Sequence, residues 1–416
     1  MPVAHQPDAS PALIRVVRPD DDLDAYLDLA ERSFGPRSPG ERDQWRRSTA
    51  DVIAQGRCLG AFDGERLVGS AVIHDMRQWW CGRAVPMAGV SSVQVAPEER
   101  GRGIARRLMA ALLDEMGARG YPLSVLYPAT MPLYRSLGWE LAGARDTALI
   151  PARSLRDLVP PDPVLPAPGP GPAAWLPRLR RAAPGDAEAV LTVIARVHEA
   201  ARDCGPITWD AASVTAWLAD PDLYAYLCDD GLLVYRWHDG KHALFVEGAE
   251  AISAPTQRAF WAHIGAYASI VEQVHARVGP ADAFWWLTRE RDADLDQRRL
   301  WMLRLVDVPA AMAARGFPPA TSLTVPLLIV DEARQANSGH WQLTVSDGRG
   351  ALDPVTPLTA RTDPSLTLGA RGLAALYAGT PLSSLRQAGL AAGGSPEQDA
   401  NLAAAFAGTA YMLDGF

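Results

Sequence analysis

Residues 93–108 read Val93-Gln94-Val95-Ala96-Pro97-Glu98-Glu99-Arg100-Gly101-Arg102-Gly103-Ile104-Ala105-Arg106-Arg107-Leu108. Branched residues lead into a short turn and an apolar-periodic run follows it, so the segment predicts a strand, a turn and a helix. The first amides of a helix lack partners within the helix and carry partial positive charge. An anion such as a pyrophosphate satisfies both. Gly101 and Gly103 have no Cβ and let such a group approach the backbone. Arg100, Arg102, Arg106 and Arg107 add positive charge at the same place. A glycine-containing turn with a basic helix face is the plainer alternative. A dinucleotide-binding fold fits less well, because this strand–turn–helix comes late in a mixed order instead of opening a βαβ unit. Further on, Tyr134 precedes Gly138 and Trp139. A phenol can hand a proton to a departing group, and packing is its other role. Gly138 suits a helix end that needs a left-handed residue.

The elements that must hold these residues are partly legible. Leu23, Tyr26, Leu27, Ala30 and Phe34 recur at helical spacing behind Asp20, Asp21 and Asp22. Residues 57–62, the turn Asp63-Gly64 and residues 67–73 predict a hairpin. Residues 85–95 predict a strand, 103–119 an amphipathic helix with Ile104, Leu108, Leu112 and Met116 on one face, and 122–126 another strand. Together these make a mixed α/β domain. Prolines 151, 160, 161, 163, 166, 168, 170, 172 and 177 follow. They interrupt any hydrogen-bond ladder, so 151–177 reads as an extended linker. Beyond it, Leu179-Arg180, Pro184 and Asp186 repeat the spacing of Ile14-Arg15, Pro19 and Asp21. Duplication and coincidence both remain open on four positions. A helix over 260–278 and a strand over 283–287 would echo the first half, with no glycine turn at the helix start; a copy of this kind has lost the chemistry. From Asp307 onward the expected strands are 323–330 and 341–346, and the expected helices 372–378 and 397–406.

Bulk properties narrow the classes. The formal net charge is −8, and residues 201–300 alone hold fifteen Asp/Glu against nine Arg/Lys. Such a surface repels phosphate backbones and anionic lipid, which predicts no nucleic-acid or membrane partner. It favours a cationic substrate; an acidic face that only keeps the protein soluble is the other reading. Residues 1–12 do not read as a signal peptide, and the four scattered cysteines predict no metal site and a reducing cytoplasm.

Arg100, Gly103 and Ala105 match Gln/Arg-x-x-Gly-x-Gly/Ala, which resembles the acetyl-CoA signature of the GCN5-related N-acetyltransferases. Tyr134, Gly138 and Trp139 resemble the Tyr-x-x-x-Gly-aromatic pattern of that superfamily. Almost end to end the chain is similar to the Eis (enhanced intracellular survival) acetyltransferases of actinobacteria. The likeness is carried by residues 93–108, 121–139, 307–317, 373–379 and 402–406, and by Phe416. It implies an α/β (α+β) architecture: a catalytic acetyltransferase domain over 1–150, a degenerate copy over 178–305, and a sterol-carrier-protein-like domain over 306–416. It further implies acetyl-CoA as co-substrate, a homohexamer, and acetylation of amines on aminoglycosides or lysine side chains.

By the same resemblance, Val93, Gln94 and Val95 would offer backbone groups to the pantetheine arm and thioester oxygen. Arg100, Gly101, Arg102, Gly103, Ile104, Ala105 and Arg106 would hold the pyrophosphate. Ala129 and Thr130 would line the cofactor path, and Tyr134 would be the general acid. The general base would be the chain's terminal carboxylate, which belongs here to Phe416; burial raises such a group from about 3.3–3.7. The sequence departs from the pattern at Pro36, Ser92 and Gly415, with Asp414 a candidate replacement for lost charge and Phe34 and Trp45 at pocket positions. One rival acceptor is a protein lysine or N-terminus. A rival of another class is a sensor or carrier that binds acyl-CoA or lipid without turnover, against which the intact phosphate turn and Tyr134 argue.

Overall fold

The computed structural model describes residues 12–21, 23–162, 164, 177–355 and 365–416. The leader reading of residues 1–11, Asp22, and prolines 163, 166, 168, 170 and 172 lie outside them. Among the described residues no helix is long and apolar enough to cross a membrane.

The first unit follows the expected order. Leu23–Phe34 turns Tyr26, Leu27, Leu29 and Ala30 inward. Cys58–Asp63 and Arg66–Trp80 form the hairpin, and Arg83–Val95 pairs antiparallel with the latter. Ile104–Ala118 lays Ile104, Leu108, Leu112 and Met116 on the sheet, and Leu123–Leu126 runs parallel to Met87–Val90.

The second unit repeats this plan. Gly231–His238 pairs antiparallel with Ala243–Ala251, a helix Ala254–Gly265 follows, and Gln273–Val278 returns parallel to Ala243–Val246. The short repeat is also structural. Arg15 donates to both oxygens of Asp21 at 2.7 Å, and Arg180 to both of Asp186 at 2.9 and 2.8 Å. One expectation fails locally. The helix stops at Gly265, and residues 273–278 are a strand because Val274, Ala276 and Val278 alternate inward with period two. Residues 283–286 form a short 3₁₀ turn instead of a strand, started by Asp282 accepting from the Phe284 amide.

Among the described residues, the two units share one thirteen-stranded sheet by exchanging their last strands. Asp294–Leu305, from the second half, pairs with Leu123–Leu126 on one side and Glu140–Pro151 on the other. Glu140–Pro151, from the first half, pairs in turn with Gln273–Val278. The C-terminal unit carries its own five-stranded sheet and is pinned to that seam. Arg304 donates to Asp331 at 2.6 and 2.7 Å, with both side chains 1% exposed. Within the C-terminal unit, Arg315 lies among the rings of Tyr377, Phe406 and Phe317 and donates to the Tyr377 carbonyl, and it reaches the first unit at the Trp80 ring, 5.8 Å away.

Beyond Pro396–Ala405 the chain leaves this unit and runs back across the seam. The Tyr411 amide donates to Cys204 O and the Met412 amide to Ala144 O. The strand exchange thus decides where the last residues end.

Candidate active site

The strand Arg83–Val95 has a neighbour on its second side only as far as Val90, opposite Leu126. Over Ser91–Val95 that edge faces no strand among the described residues. The pairing with Arg66–Trp80 slips between Ser70 and Val72, and Ser92 adopts φ 51°. A left-handed serine inside a strand is a bulge, and the bulge bends the strand away from its parallel neighbour. The Gln94 side chain is buried and its amide nitrogen donates to Ser70 Oγ at 2.7 Å, while its Oε1 has no partner among the described residues. His74, on the neighbouring strand, holds Ser91 Oγ at 2.7 Å. Burial, and then Arg57, push that imidazole down to about 4.

The strand runs into the glycine turn. Gly101 and Gly103 have φ of 81° and 71°, and a Cβ at either would meet nothing within 4 Å. Gly103 stands at the N-cap and no side chain caps the helix. Its first amides are therefore left for water or a ligand. Ile104 is buried and anchors the turn, while Arg106 faces solvent. Arg102 is less available than its position suggests, because Glu99 holds it, and Arg66 too. Those two guanidiniums keep the Glu99 carboxyl below the usual range. Among the described residues, Arg100 and Arg106 have no carboxylate partner.

Tyr134 sits on the short helix Met131–Arg135, whose N-cap is Thr130. Its ring is buried with Val90, Leu108, Leu126 and Trp139, and Val93 packs against the same group. Burial holds the phenol above its ordinary value, so it stays protonated at neutral pH. Sequence positions 93, 108 and 134 thus meet at one splayed strand.

On the other side of Ala129 opens a cavity of about 980 Å³. Tyr127, Pro128 and Ala129 line it from the first unit, Trp209, Trp217, Glu247 and Glu250 from the second, and 413–416 from the tail. Phe416 lies against Gly89, where a Cβ would come within 2.9 Å of its ring. Its ring centroid is 5.7 Å from that of Tyr127 and 6.1 Å from that of His74. Tyr127 Oη donates to Asp414 O at 2.7 Å and Arg277 to Leu413 O at 2.6 Å, which fixes the tail. Burial pushes the Tyr127 phenol up to about 12, against the pull of Arg145. The cavity wall contains neither Tyr134 nor residues 100–106; Ala129 and Thr130 join the two regions. Phe34 is exposed and Trp45 packs on Tyr26, so neither lines this cavity. Tyr127, His74, Trp209 and Arg277 carry no sequence signal of their own, because only the strand exchange and the returning tail bring them together.

The second unit shows what loss of the glycine turn means. At the start of Ala254–Gly265, Ser253 Oγ accepts from the Thr256 amide. Thr256 Oγ1 donates to Asp230 at 2.6 Å. A built-in hydroxyl and a carboxylate thus hold the place that an incoming anion would need.

Residues 14–142 match a family model described as an acetyltransferase (GNAT) domain, and residues 206–305 match a second acetyltransferase (GNAT) domain. Residues 308–413 match a sterol carrier protein domain. An N-acetyltransferase of Streptomyces avermitilis is 30% identical over an alignment of 413 positions that covers 90% of this chain and 92% of that one. The N-acetyltransferase Eis of Mycobacterium tuberculosis is 29% identical over 357 residues, covering 80% of this chain and 83% of Eis. The crystal structure of a GCN5-related N-acetyltransferase from Kribbella flavida superposes with a TM-score of 0.88 at 42% identity, over 97% of this chain and 98% of the other. With the glycine turn, the bulged strand and the repeated plan all in place, the chain belongs to the Eis family of GCN5-related N-acetyltransferases, two acetyltransferase folds in tandem followed by a sterol-carrier-like domain.

Proposed function

We propose that the chain moves acetyl directly from acetyl-CoA to the amine of a cationic acceptor, of lysine-side-chain or aminoglycoside type, with both molecules bound at once. The co-substrate supplies the acetyl group as a thioester. The uncapped amides of 101–106 and the unpaired guanidinium of Arg100 fit its pyrophosphate. The free edge over Val93–Val95 fits its pantetheine amides, with the backbone near Val93 placed to steady charge on the carbonyl oxygen. An ammonium cannot attack a thioester, so its proton must first leave. Phe416, where the polypeptide ends at this residue, brings an α-carboxylate to the cavity as the base, directly or through a water. Tyr134, kept protonated by burial, returns a proton to the departing thiolate. A covalent acetyl-cysteine finds no support. Cys58, Cys81 and Cys204 are buried, and burial pushes the Cys58 thiol up to about 12.

The seat of Phe416 against Gly89, Tyr127 and His74 is the observation that carries this reading. Its test is one glycine appended after Phe416, which keeps the ring and moves the carboxylate. Turnover should fall about a hundredfold or more with acetyl-CoA affinity unchanged; full turnover would remove that carboxylate from the mechanism. A homohexamer working in the cytoplasm, where acetyl-CoA is made and the four free thiols stay reduced, belongs to the same proposal. Sedimentation of the purified protein tests the assembly.

A further inference from the structure

Among the described residues, three arginines on the cavity wall have no carboxylate within ion-pair distance, although Asp414 and Phe416 line the same cavity. Arg145, in Glu140–Pro151, stands directly opposite Arg299, in Asp294–Leu305. Arg277, in Gln273–Val278, opposes Thr147, two residues along from Arg145. Residues opposite each other, and residues two apart along a strand, share one face of a sheet. All three line the cavity that also contains Phe416 and Ala129. Like charges directly opposite destabilise an antiparallel pair; Asp414 and, where the polypeptide ends at Phe416, its terminal carboxylate offset two of the three charges, which leaves capacity for one further anion.

The acids nearby are occupied elsewhere. Arg236 holds Glu247 at 2.6 Å, and Glu250 faces His198 at 3.3 Å. Burial pushes the Asp414 carboxyl upward against the pull of Arg277 and Arg145, and among the described residues it makes no direct ion pair with any of the three. Arg145 instead lies 5.1 Å from the centre of the Tyr127 ring, and Arg277 lies 5.2 Å from that of Phe245 and donates to the Leu413 carbonyl. Arg299 is exposed.

We propose that Arg145, Arg277 and Arg299 form an oxyanion subsite of the acceptor pocket, so that the acetylated amine belongs to a molecule that also carries a carboxylate. This rests on the acetyl-transfer reading and narrows its acceptor to an amino-acid-like compound in place of a polycation. A planar guanidinium matches a carboxylate with two parallel hydrogen bonds. Trp209, Trp217 and Leu300 give the stretch between amine and acid an apolar wall.

The experiment uses the full chain and a series of ω-amino carboxylic acids of increasing length, each paired with its primary amide. Coenzyme A release gives KM and kcat, and calorimetry without acetyl-CoA gives binding of the same compounds. Arg299→Gln is the variant, because Arg299 is exposed and makes no bond to the tail. At the best length the wild type should take the acid with a KM about tenfold below that of the amide. Arg299→Gln should erase that gap by raising KM for the acid alone. Equal handling of acid and amide by the wild type overturns the subsite. So does a variant that slows both alike, which would tie the arginines to the tail instead. Should the acids bind, and bind about tenfold more weakly to Arg299→Gln, while no amine is acetylated, the subsite stands and the acetyl-transfer reading falls.

Discussion

Gly101 and Gly103 allow the phosphate-turn argument to be separated from ordinary backbone strain. Both are left-handed with open space where a Cβ would go, and so is Gly120, φ 77°, just past the other end of the same helix. Alanine at any of the three forces an L-residue into that region, which costs about 1–2 kcal/mol of stability. Packing adds nothing at any of them, since no atom lies within 4 Å of the new methyl. The stability losses should therefore be alike. Cofactor binding should not. At Gly101 and Gly103 the methyl occupies space that the reading gives to the pyrophosphate. One lost charge-assisted hydrogen bond is worth about 2 kcal/mol, roughly thirtyfold in Kd. Titration calorimetry with acetyl-CoA on the three single variants, beside denaturant unfolding, provides both numbers. Gly120→Ala should bind acetyl-CoA as the wild type does. If Gly101→Ala and Gly103→Ala bind as Gly120→Ala does, the helix start is not the phosphate site.

Tyr134→Phe should lower kcat about a hundredfold or more while leaving KM for acetyl-CoA within a small factor, as steady-state coenzyme A release would show. An unchanged kcat would return Tyr134 to a packing role. His74, held neutral with a folded value of about 4 against an ordinary 6.5, contributes stability that is present above pH 6.5 and is lost as pH falls through 4. The loss should approach about 3 kcal/mol, and His74→Gln, which can keep a bond to Ser91, should flatten it in unfolding experiments at pH 7 and pH 4. Asp331→Ala leaves Arg304 buried without its partner and should destabilise the chain by about 3–5 kcal/mol, with the junction of the C-terminal unit losing hydrogen-exchange protection first. A loss under about 1 kcal/mol would place that pair among those that contribute little.

Local signals decided a good deal before any folding. Two glycines at the start of an apolar-periodic run predict an anion-binding turn, because helix amides and missing Cβ atoms act within a few residues of one another. The hairpin, the amphipathic helix after Gly103 and the Arg–Asp pair repeated in both halves are local in the same sense. Period-two and period-3.6 patterns cannot be told apart where both are short, as over 266–278, because an apolar run of that length suits either element. Long-range placement was hidden. Nothing in residues 294–305 announces that they leave their own unit to pair with Leu123–Leu126 and Glu140–Pro151. That exchange puts Arg145 opposite Arg299 and opens the seam that the tail crosses to seat Phe416. Sequence alone pointed to the proposed cofactor side, since one contiguous segment builds it. The acceptor side took shape only in three dimensions, because strand pairing and burial bring together groups that lie hundreds of residues apart and carry no mark of each other along the chain.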